Sequence, residues 1–268
     1  MIDARTDHCA HCGIAVGAGG FRIAKQSSIS AWLFPGGKLA VGLILIANVL
    51  LFAVSTATRS NTLMQYGDKW LPAILGGDWF RLLTAGYLHQ GLSFSGRGPA
   101  WMPLLQFLHI FLNMAGLRNV GTIVEEIFGT RRMFAAYSAA TLAGFTLSAM
   151  WAPRQQSLGA SAGVFGLLGA LIAYGVLSKS TAARHLQVVC LFNAGIGLIM
   201  GGFLPMIDNA AHLGGLIGGF AVAWMAGLPR WVDDTTEKLW GLVSLVSLLL
   251  TLLAFGELFY RIFARRAG

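Results

Sequence analysis

Charge is scarce in this chain. Of 268 residues only 11% are Asp, Glu, Lys or Arg, while 56% are hydrophobic; soluble domains carry about a quarter charged residues. That shortage excludes an ordinary water-soluble domain, and a mean hydropathy of +0.66 points to an all-α polytopic membrane protein. Cysteine is scarce too. Cys9, Cys12 and Cys190 are too few for a disulfide scaffold. No basic stripe with interleaved aromatics is present, so the net charge of +8 reads as loop charge facing anionic lipid. No nucleic-acid partner is expected. There is no HExxH for a zinc protease and no pair of intramembrane aspartates. An internal inverted repeat and the intramembrane charges of a proton relay are also missing, which argues against a small-molecule transporter. Nor is a cleavable signal peptide evident in the mixed, polar first 38 residues. The first apolar helix is expected to act as its own insertion signal.

What is present is a series of long apolar runs. A helix needs about 20 apolar residues to cross a bilayer. Seven runs qualify: Lys38–Thr58, Leu104–Thr122, Met133–Trp151, Gly159–Leu177, Leu186–Met206, Ala210–Leu228 and Leu239–Tyr260. The expected organisation is an N-terminal cytoplasmic tail over 1–38, a six-helix core over 39–228, and a linker with one more helix over 229–268. Within the core, 59–103 forms a long first loop, with Trp70, Trp79 and Trp101 suited to the membrane interface. Lys and Arg placement sets the orientation. Arg5, Arg22, Lys25 and Lys38 lie in the tail, Arg118, Arg131 and Arg132 between the second and third helices, Lys179 and Arg184 between the fourth and fifth, and Arg230 and Lys238 between the sixth and seventh. The short loops on the other side hold only Arg154, so the N-terminus is expected inside. Arg261, Arg265 and Arg266 run against that rule if the last helix spans.

Polar residues inside apolar helices are costly and by default mark function. With the orientation above, His109 in the second helix, Ser161 in the fourth and His212 in the sixth share one depth, toward the outer face. A serine that meets a histidine is the minimum for nucleophilic acyl transfer. Gly215 and Gly219 stand three and seven residues after His212, so the histidine's face is a small-residue face that allows close helix approach. Phe165, one turn after Ser161, is placed to pack on the imidazole. His109 and Asn113 are one turn apart and point the same way, with side chains suited to stabilising an oxyanion. The Ser161 amide, near a helix N-terminus, is a further donor. His89 and His185 read as ordinary loop histidines. Cys9 and Cys12, with His8 and His11, form HCAHC, half of a zinc site whose other half is missing. No metal and no cofactor is expected.

At these residues the chain resembles the rhomboid family of intramembrane serine proteases. The resemblance is carried by HIFLN at 109–113, GASAG around Ser161 and AHLGGLIGGF around His212, with support from WFRLLTAGYLHQG and from Gly121-x-x-x-Glu125-x-x-x-Gly129. It implies a six-helix rhomboid-like core with one C-terminal helix added, a 6+1 arrangement, in a multi-pass protein of a bacterial-type plasma membrane. It further implies a serine endopeptidase that cuts transmembrane segments of other membrane proteins by a dyad, with Ser161 as nucleophile, His212 as base, and His109 and Asn113 on the oxyanion. Asp208, four residues before His212, is expected in the loop, and the resemblance gives it no role. The alternative is a catalytically silent rhomboid-like binding or quality-control protein.

Overall fold

The computed structural model describes residues 35–92, 99–204, 207–228 and 234–264. Cys9 and Cys12 lie outside the described residues. A short 3-10 turn, Pro35–Gly37, precedes α1, Leu39–Thr58. The described residues of the first loop hold three short α-helices, α2, Thr62–Gly67, α3, Leu71–Leu75, and α4, Arg81–Thr84, the last running into a 3-10 turn, Ala85–Tyr87. Its Trp70, Trp79 and Trp101 are all exposed. The helical run Met102–Trp151 is divided at Gly129 into α5 (102–128) and α6 (130–151). Next come α7, Ser161–Ser178; α8, Thr181–Phe203; α9, Asn209–Ala226; and α10, Asp234–Ala264. Among the described residues the only β-type pairing is an isolated bridge between Lys69 and Ser157.

Five helical runs are long and apolar enough to cross a membrane, and Met102–Trp151 is one of them. With its two arms taken separately and α9 added, seven long helices run between the two ends of the molecule, six in the core and α10 as the seventh. α9 lies between α6 and α7 and carries four glycines besides its asparagine and histidine.

Helix ends differ from the hydropathy expectation where polar residues continue a helix. The expected loop between the second and third helices is a single residue. Gly129, at φ 82° and ψ 164°, reverses the chain in a conformation that in practice only glycine adopts. Arg118 therefore lies inside α5, and Arg131 and Arg132 lie in the first turn of α6. Apolarity lapses at Glu125 and Glu126, but Glu125 is turned inward and serves as a cap. Its two carboxylate oxygens accept the backbone N–H groups of Ala40 at 3.1 Å and Val41 at 3.0 Å, and Oε1 also accepts the Thr130 hydroxyl at 2.7 Å. The opening N–H groups of a helix have no partner within it, and a carboxylate there also opposes the positive end of the helix dipole. One buried side chain thus ties α1 to the α5–α6 reversal. α8 begins five residues earlier than expected because Ser180 caps it, its side chain accepting the Ala183 N–H.

α10 is fastened at both ends. Near the Gly129 reversal, Glu237 meets Arg132 at 2.6 Å and Arg131 at 3.5 Å, and the Arg132 guanidinium lies over the Trp240 ring at 5.6 Å. At the other end Ala254, Leu258 and Ile262 pack with Phe80 and Leu83 of the first loop. Arg261, which ran against the charge rule, sits there 3.7 Å from Asp78.

Replacing the buried cap by Glu125→Ala leaves two helix-terminal N–H groups without a partner. The expected loss is about 1–3 kcal/mol, read as a lower unfolding temperature in detergent, with Glu125→Gln closer to the parent.

Candidate active site

α7 and α9 meet at their backbones. A Cβ at Gly215 would overlap the Ala162 carbonyl oxygen, one at Gly219 the Gly166 carbonyl oxygen, and one at Gly169 the Leu216 carbonyl oxygen. The neighbouring pair, Gly214 and Gly218, faces Ala143 and Ala140 of α6 in the same manner. α9 therefore touches two helices at once, each through a different glycine pair.

This packing carries His212 to the start of α7. Ser161 is the first residue of α7 and is half-buried. His212 is the fourth residue of α9 and is buried. Its ring is stacked on Phe165, with centroids 4.0 Å apart and planes 11° from parallel. Phe165 is one turn beyond Ser161, so the imidazole lies along the first turns of α7. Among the described residues Nδ1 of His212 has no hydrogen-bond partner. The ring is held by stacking rather than by a third polar side chain.

On the other side of Ser161, Gly159 has φ +129° and donates its N–H to the Ala85 carbonyl at 2.9 Å. A Cβ there would lie 2.8 Å from Nε2 of His109 and 3.9 Å from Nδ2 of Asn113. The pair on α5 therefore borders the backbone two residues before Ser161. Asn113 donates one Nδ2 hydrogen to the His109 carbonyl at 2.8 Å, and an amide nitrogen carries a second. The Ser161 N–H is at the helix start, where no intrahelical acceptor exists.

Some participants were not legible as such. His89, read as a loop histidine, is 2% exposed, and its ring centroid is 5.0 Å from that of His109. Neither of its ring nitrogens has a partner among the described residues. Burial, with His109 adding to it, pushes the His89 pKa well below its ordinary value, so the ring is neutral. Asp208 lies at the end of the loop before α9, as expected, and is not a partner of the imidazole Nδ1. It is the N-cap of α9, accepting the Ala211 N–H at 3.0 Å on Oδ1 and the Ser148 hydroxyl on Oδ2. Tyr137 of α6 fits the space left by Gly163 and donates its hydroxyl to the Gly86 carbonyl at 2.8 Å, joining α6, α7 and the first loop. Cys190 is buried in α8. Among the described residues no group of three or more His, Cys, Asp or Glu side chains is placed to hold a metal.

In Gly219→Val the new side chain meets α7 backbone, which cannot swing aside. α7 and α9 are forced apart at a cost of about 3 kcal/mol, seen as a lower unfolding temperature together with loss of Phe165–His212 contact by cross-linking or spectroscopy.

Residues 104–229 match the family model described as the Rhomboid domain. The chain is 32% identical to rhomboid protease GluP of Bacillus subtilis (strain 168) over 88% of its own length and 43% of that protein's. It is 30% identical to the mitochondrial RHOMBOID-like protein 6 of Arabidopsis thaliana, over 62% of this chain and 50% of the relative. To Rhomboid-like protease 3 of Toxoplasma gondii it is 25% identical, over 74% of this chain and 76% of the relative. The chain spans half the length or less of the first two of these relatives.

Proposed function

We propose, from the premise that this chain belongs to the rhomboid family, that it is an intramembrane serine endopeptidase working by a Ser161–His212 dyad. The observation that carries the reading is the Phe165–His212 stack, which holds a buried imidazole along the helix that Ser161 begins.

In this reading the Ser161 Oγ attacks the substrate carbonyl carbon while its proton passes to His212 Nε2. The carbonyl oxygen becomes an oxyanion, stabilised by the Ser161 N–H, the second Nδ2 hydrogen of Asn113 and the His109 ring. The intermediate collapses as His212 returns the proton to the leaving amine nitrogen, which leaves an acyl-serine. Water, deprotonated by His212, attacks the ester carbon and releases the new carboxyl terminus and the free Ser161 hydroxyl. No third side chain is required, since ring stacking orients the base.

The N-terminus lies in the cytoplasm by the Lys and Arg distribution, and the dyad end faces outward, in a plasma membrane of bacterial type. Substrates are transmembrane segments of other proteins. Their helices must unwind to present a carbonyl to Ser161, which favours segments rich in glycine, proline or small residues. The competing reading is a silent rhomboid-like protein that binds membrane clients without cutting them; the close relation to proteins named as proteases favours the enzyme.

Full-length protein in detergent or liposomes is expected to react with a fluorophosphonate probe and to cut a transmembrane reporter. Ser161→Ala is expected to abolish both. His212→Ala should lower both by at least about a thousandfold, the scale seen when a triad member is lost, while the unfolding temperature stays close to the parent. Equal labelling and cleavage in parent and Ser161→Ala would sink the mechanism, and absence of both in the parent would leave the client-binding reading.

A further inference from the structure

Lys69 stands in the first loop between α2 and α3 and is fully buried. A buried ammonium is costly unless it is partnered, and all its partners lie on one stretch of chain. Nζ donates to the carbonyls of Gln155 at 2.6 Å, Ala152 at 3.0 Å and Ser148 at 3.5 Å. Its backbone exchanges two hydrogen bonds with Ser157, 2.8 Å from the Lys69 N–H and 3.2 Å to the Lys69 carbonyl. These groups belong to the last turn of α6 and the segment that runs into Gly159 and Ser161. The last carbonyls of a helix lack intrahelical partners, and a cation there complements the helix dipole.

The chain of contacts continues from Ser148. Its hydroxyl donates to Asp208 Oδ2, and Asp208 caps the helix that carries His212. The neighbouring charges of the loop are occupied elsewhere. Asp68 pairs with Arg81 at 2.8 Å, and Arg81 also holds the Gln65 carbonyl and Asp78. Burial lowers the Lys69 pKa from its ordinary value, opposed by Asp208 and Asp68.

We infer that Lys69 is a positioning residue that sets the 152–160 segment against the start of α9, and so fixes where Ser161 stands relative to His212. Nothing in that arrangement touches substrate. The placement itself is independent of the proteolytic reading; its effect on catalysis rests on that reading.

The test compares full-length parent, Lys69→Met, Lys69→Arg and Ser148→Ala in the same detergent, by hydrogen–deuterium exchange and by the rate of fluorophosphonate labelling. In Lys69→Met the Ser157 and Gly159 amides are expected to exchange at least tenfold faster while amides in the middle of α7 and α9 keep the parent rate. Labelling should slow at least tenfold. Lys69→Arg, which keeps the charge, should recover part of both. Ser148→Ala should speed exchange at the start of α9 by severalfold and slow labelling less than Lys69→Met. The inference is overturned if exchange over 152–160 in Lys69→Met stays within twofold of the parent, or if it rises equally in all helices. Should Lys69→Met fail to fold, Ser148→Ala decides: parent-like exchange and labelling there overturn the inference. If the local exchange change appears while the parent itself is never labelled, positioning stands and the dyad reading falls.

Discussion

The structure depends on the contact of α7 with α9 at backbone distance. Gly215, Gly219 and Gly169 leave no room for a single methyl between the two helices. In a membrane there is no hydrophobic force to press helices together, so association relies on close van der Waals contact and on polar bonds. The glycines supply the first of these. Glycine offers no side chain to orient His212, and the Phe165 ring takes over that task. α9 repeats the device toward α6 with Gly214 and Gly218. The helix that carries the histidine is therefore held at backbone distance on two faces.

Around that rigid contact the polar work is done by the first loop. Four of its buried polar groups are held in this way: Asp68 with Arg81, Thr84 with the Gly67 carbonyl, Lys69 with the end of α6. Tyr137 reaches from α6 to the Gly86 carbonyl, and α10 closes the far side with Leu258 and Ile262. A buried polar network of this kind is rigid when all its members are satisfied. That suits a segment whose partner is the stretch of chain leading to Ser161.

Much of the molecule was legible from apolar runs and helical periodicity. The long apolar helices and the glycine face of α9 follow from spacing within single helices. Helix ends were not, because hydropathy falls wherever a polar residue appears, whether it leaves the helix or caps another. Glu125 is the clearest case: it interrupts the apolar run and yet belongs to the core. His89, Lys69 and Ser148 escaped for a related reason. Their partners lie on other elements, 20 to 86 residues distant, and no periodicity joins a loop to a helix end.

The one-residue reversal at Gly129 has a consequence for how the molecule is made. Lys and Arg hold a chain segment on the side of the membrane where it is synthesised. With no loop to carry them, Arg131 and Arg132 are locked in register with the end of the hairpin. They can mark the orientation of α5 and α6 as soon as those helices emerge. Once α10 has been synthesised, the same two arginines receive Glu237. The two arginines that the charge rule counts as orientation markers are thus also the residues that hold the last helix.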